Sequence, residues 1–83
     1  MPTLLIVRNF IFMIHTRDHG FPHVTVYQGI PGRYEAMAKI RLDNLTILEV
    51  KEFSKRDVNL ILKITTQYQS DWLEVWNEIF KGE

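Results

Sequence analysis

The four residues Gly29-Ile30-Pro31-Gly32 constrain this chain more than any others, because they separate two alternating segments, His23–Gln28 and Arg33–Arg41. Pro and Gly favour a turn, and apolar/polar alternation with period two marks half-buried strands, so the stretch predicts an antiparallel hairpin. With Tyr27 set opposite Arg33, one face carries His23, Thr25, Tyr27, Arg33, Glu35, Met37, Lys39 and Arg41. The other collects Val24, Val26, Tyr34, Ala36, Ala38 and Ile40. A slip of one residue would mix the two sets, so the segregated arrangement is expected. A sheet with one core face and one polar face follows.

Further strands are expected on both sides. Leu4–Val7 and Phe10–Thr16 are β-branched and aromatic runs split by Arg8-Asn9, a second hairpin whose turn suits Asn, which tolerates positive φ. Both faces of Phe10–Thr16 are largely apolar, which places that strand centrally and makes His15 a half-buried strand residue rather than a ligand. After the Asp43-Asn44 turn, Leu45–Val50 reads as an edge strand.

From Ser54 the period changes. Ser54-Lys55-Arg56-Asp57 has the form of a capping box, and Val58, Ile61, Leu62 and Thr65 then recur at helical spacing. Trp72, Leu73, Trp76, Ile79 and Phe80 form another stripe. One helix from Lys55 to Lys81 would run about 40 Å at 1.5 Å per residue, long for so small a domain. Two helices are expected, with a break near Gln69–Asp71. The fold class is therefore α+β: a small antiparallel sheet of four to five strands followed by two C-terminal helices packed on one face.

At 83 residues, 46% of them hydrophobic, the chain is expected to be a single domain over residues 1–83. Such a domain buries a modest fraction of its surface, and it has no cysteine to staple it, so self-association is expected to contribute. The opening MPTLLIVRNFIFMIH carries Arg8 within its apolar run and lacks the marks of a signal peptide. It also falls short of the roughly 20 apolar residues a membrane span requires. A cytoplasmic protein without membrane attachment is expected.

The formal net charge of zero conceals a division. Residues 1–42 hold five basic and two acidic side chains, and residues 43–83 five and eight. The halves either complement each other within the fold or leave the first to attract an anionic partner. The second helix would expose Glu74, Asn77 and Glu78 with only Lys81 as a cation, which argues against a helix-turn-helix DNA reader. Trp72 and Trp76, four apart on an apolar stripe, read as core or dimer surface rather than a stacking platform.

Candidate chemistry concentrates in RDHGFPHVTV, Arg17–Val26. His15, His19 and His23 fall four apart, but Gly20 and Pro22 forbid the helix that would align them. A loop could still gather Asp18, His19 and His23 for acid–base work near neutral pH, with Arg17 stabilising developing negative charge. Arg17, Asp18, His19 and His23 are thus the catalytic candidates. The plainer reading makes Asp18 a turn cap and Pro22 the guide into the strand. No full ligand set is present, so neither a metal nor a cofactor is expected. Thr25, Tyr27, Arg33, Lys39 and Arg41, on the polar sheet face, are the candidate binding residues.

The start MPT, the stretch DHGFPHVTV, the later GRYEA, and the tail KRDVNLILK with WLEVWNEIF resemble a family of small bacterial proteins, domain of unknown function 4160. Its signature is approximately N-D-H-x-P-P-H-x-H, which Asp18, His19, Pro22 and His23 match. The chain departs from it at Arg17, where Asn is usual, at Phe21, where Pro is common, and at Thr25, where the last His stands. Thr25 has no imidazole, and Tyr27, two residues along the same face, is the nearest phenolic substitute. The resemblance implies a small α+β protein encoded beside a partner, one half of a toxin–antitoxin pair.

Three functions are expected in order. The first is an interaction protein of a toxin–antitoxin type module, acting through a cognate protein partner or a second copy of itself. The second is a metal-independent ribonuclease using His19 and His23. The third is a sequence-independent nucleic-acid binder using the polar sheet face, with RNA among the partners such a face could take.

Overall fold

The computed structural model describes residues 3–15, 20–30 and 32–81. Five strands, β1 (Thr3–Val7), β2 (Phe10–Met13), β3 (His23–Ile30), β4 (Arg33–Arg41) and β5 (Ile47–Lys51), precede two helices, α1 (Lys55–Gln67) and α2 (Gln69–Ile79). The strands form one antiparallel sheet in chain order, consecutive strands lying side by side. This is the expected α+β architecture.

Two cross-strand rows define the polar face: Ile11–Tyr27–Met37–Lys51 and Met13–Thr25–Lys39–Glu49. Opposite them, Phe10, Phe12, Val24, Val26, Ala38 and Ile40 pack with Leu42, Ile61, Ile64 and Trp72 into the core. Rings tie the layers together, Phe12 to Trp72 at 5.2 Å and Phe10 to Phe53 at 5.7 Å between centroids. Both helices thus cover the same sheet face.

The central hairpin differs from expectation in register. Tyr27 pairs with Met37 rather than Arg33, and the strands run on to an Ile30–Arg33 pair. A slide of an even number of residues preserves parity, so Thr25 and Tyr27 still share a face with Met37 and Lys39. Parity fails only at the hairpin end, where Gln28 pairs with Ala36 and Gly29 with Tyr34, which leaves Glu35 as the extra residue of a bulge. Tyr34 consequently leaves the expected core face and stacks on Tyr27, with ring centroids 4.3 Å apart.

Smaller differences have local causes. Strand β2 ends at Met13, although Ile14 beyond it remains fully buried, and Thr16 lies outside the described residues. The positive φ of the first turn falls on Arg8 (55°) rather than Asn9. Strand β5 starts at Ile47 instead of Leu45, whose φ of 60° belongs to the preceding turn, closed by Thr46 N–H donating to Asn44 Oδ1 at 3.0 Å. The helix junction is Tyr68, one position before the expected break. Tyr68 N–H still donates to Ile64 O and Trp72 N–H to Tyr68 O, so the junction is a kink rather than a loop. Gln69 Nε2 donates to Leu42 O at 2.7 Å and fastens that kink to the end of β4.

Candidate functional site

Strands β3 and β4 supply three candidate side chains each, His23, Thr25 and Tyr27 on the first and Arg33, Lys39 and Arg41 on the second, and those of β3 fall into two groups by their position along the strand. Arg17, Asp18 and His19 lie outside the described residues. His23, the first residue of β3, is 7% exposed. Its ring lies against Phe21 at 5.9 Å and Trp76 of α2 at 5.3 Å, and its Nδ1 is 3.2 Å from the Phe21 carbonyl oxygen. Opposite it, Arg41 places its guanidinium 4.5 Å over the Phe21 ring and donates from Nε to Asp43 Oδ1 at 2.6 Å. That hydrogen bond holds the Asp43 carboxyl below the ordinary carboxylate range. His23, Phe21, Arg41 and Trp76 therefore form a packed cluster at the sheet's end, with imidazole and guanidinium both against aromatic rings.

The second group lies on the polar face. His15 Nε2 and Tyr27 Oη are 3.0 Å apart, with their rings edge to face. Tyr27 in turn stacks on Tyr34, so three aromatic rings run in series across the sheet. The Met13–Thr25 pair lies between the positions of His15 and Tyr27 along the ladder. Thr25 is fully buried there, and its Oγ1 has no hydrogen-bond partner among the described residues. Beside the tyrosines, Glu35, Ala36, Met37, Lys51 and Glu52 line a shallow groove of about 220 Å³.

The five candidate binding residues do not form one pocket. Thr25 and Lys39 are directly paired and Tyr27 adjoins them, but Arg33 and Arg41 terminate β4 about 27 Å apart, at about 3.4 Å per residue. The sequence places His15 only as a half-buried strand residue, whereas the structure brings it within hydrogen-bond distance of Tyr27. Its parity with Met13 was readable, but its distance from Tyr27 depends on the β2–β3 register, which a long connection leaves open. Among the described residues no three His, Cys, Asp or Glu side chains converge as a metal site. No helix among them is long and apolar enough to cross a membrane.

A five-stranded meander covered on one face by two helices, with an imidazole–phenol pair on the other, defines a small α+β protein. The chain belongs to the family described as Domain of unknown function (DUF4160), which it matches over residues 9–77. No curated protein and no solved structure matches it.

Proposed function

We propose that this protein is a small cytoplasmic interaction module, a component of a toxin–antitoxin type pair that acts through a partner protein or through self-association. The supporting observation is β5, an edge strand on which Ile47, Leu48 and Val50 are 39%, 40% and 38% exposed. An apolar edge of this kind offers both side chains and unpaired backbone groups to another strand. Co-expression with the product of the neighbouring gene, followed by size-exclusion chromatography, is expected to give co-migration that Val50→Asp abolishes. Separate migration of the two wild-type proteins overturns the paired-module reading.

A nucleic-acid partner has a specific observation in its favour. The Tyr27–Tyr34 stack, with Tyr34 37% exposed, borders a groove that holds Lys51 together with Glu35 and Glu52, and exposed aromatic rings beside a cation suit single strands. Fluorescence anisotropy with a labelled RNA oligonucleotide should then show affinity that falls with salt and with Tyr34→Ala. Salt-independent affinity excludes that mode. The ribonuclease reading has less support, because His23 is nearly buried between Phe21 and Trp76. RNA left intact by the purified protein removes it.

A further inference from the structure

We infer that β5 pairs with β5 of a second copy of this chain, antiparallel about a twofold axis through Val50, to give a closed dimer with one continuous sheet. The inference rests on the interaction reading above and narrows its partner to the chain itself.

Strand β5 is unusually bare. It borders only β4, and its core-side residues Ile47 and Val50, which pair with Ile40 and Ala38, stay exposed while those two neighbours are buried. The helical cover thus stops short of the last strand, and an apolar strip runs out to the sheet edge.

Parity and charge together select one register. A twofold axis perpendicular to the sheet keeps each face on its own side, so every residue must meet one of its own face. Glu49 and Lys51 pair with Lys39 and Met37 on the polar face, and Val50 points the other way. Centring the axis on Glu49 sets carboxylate against carboxylate, and centring it on Lys51 sets ammonium against ammonium. Leu48 is the extra residue where Lys39–Glu49 gives way to Ile40–Ile47. An axis there opposes Glu49 to Ile47, which points to the opposite face. Only the axis at Val50 puts each Glu49 opposite a Lys51 and extends the apolar strip across the junction. Within one chain Glu49 and Lys51 are already 3.3 Å apart, so the dimer carries four alternating charges.

The other edge lacks that charge pattern. Strand β1 has no charged residue from Thr3 to Val7, and its pairing with β5 would be head-to-tail, leaving free edges that propagate into filaments. Strand addition alone buries less than the standard interface of about 800 Å² per partner, so the dimer should dissociate on dilution.

Charge reversal provides the test. Sedimentation equilibrium of the full chain should report twice 9.9 kDa at high concentration. Glu49→Lys and Lys51→Glu should each be monomeric, since each makes the strand's charges alike. An equimolar mixture of the two variants should recover the dimer, because one supplies two cations where the other supplies two carboxylates. The double variant Glu49→Lys/Lys51→Glu should dimerise as the wild type does. Far-UV circular dichroism verifies that each variant is folded. Wild-type protein monomeric at every concentration, dimers undiminished in both single variants, or an open-ended series of species each overturns the inference. A monomeric chain that still co-migrates with the neighbouring gene's product overturns the self-pairing alone and leaves the interaction reading standing.

Discussion

Thr25 presents a hydroxyl at a fully buried strand position with no acceptor or donor among the described residues. Leaving such a group unsatisfied costs about 1–3 kcal/mol, whereas a methyl of the same shape carries no such penalty. Thr25→Val should therefore raise unfolding free energy by about 1 kcal/mol in urea denaturation. A loss of similar size would mean that the hydroxyl is satisfied in solution. Asp43 is the converse case, an exposed carboxylate held in its ionised form chiefly by the hydrogen bond from Arg41 Nε. Because its folded pKa is lowered, the pair's contribution is complete above the ordinary value of 3.8 and is lost as pH falls through the folded value. An NMR titration should place the Asp43 midpoint below 3.8 in the wild type and return it towards 3.8 in Arg41→Gln. Midpoints that coincide would assign the shift elsewhere.

Alternation in β3 and β4 was enough to sort Thr25, Tyr27, Met37 and Lys39 onto one face, because parity survives any even slide. It could not reveal the bulge at Glu35, which depends on Gly29 holding a φ of 118°. A Cβ at that position would lie 2.8 Å from the Arg33 carbonyl oxygen, so both backbone conformation and space require glycine. Gly29→Ala should cost at least about 1–3 kcal/mol and disperse the Tyr27–Tyr34 stack, read as a changed near-ultraviolet dichroism. An unchanged spectrum would detach the stack from the bulge. The His15–Tyr27 contact was illegible for a related reason, since residues 14–22 between β2 and β3 are too many to set a register locally. Helix starts are more local. Ser54 accepts from Asp57 N–H at 3.1 Å, as its capping-box sequence suggested, and Ser54→Ala should cost about 1 kcal/mol. The helix break carried no Gly or Pro to mark it, and it falls at Tyr68, where Gln69 reaches across to Leu42.

At the scale of the whole molecule, a single layer of contacts joins sheet to helices, and Trp72 is at its centre. Its ring meets Phe12 on the sheet at 5.2 Å and Tyr68 at the helix kink at 5.3 Å, and it is 4% exposed. An 83-residue chain at about 0.05–0.15 kcal/mol per residue has about 4–12 kcal/mol of stability in all. Removing a buried Trp side chain costs about 3–5 kcal/mol through lost burial and the cavity left behind. With no disulfide to limit the unfolded ensemble, Trp72→Ala should remove a quarter or more of that stability. Urea unfolding followed by far-UV circular dichroism should show a correspondingly lower midpoint, or a chain already unfolded in buffer. Trp76→Ala provides the comparison, because its ring packs at the sheet's end against His23 and Phe80 instead of entering the central cluster. It should cost less than Trp72→Ala. Equal losses would mean that the His23–Trp76 contact is as much a part of the core as the Phe12–Trp72 contact, and that the imidazole at the start of β3 serves chiefly to hold α2 against the sheet.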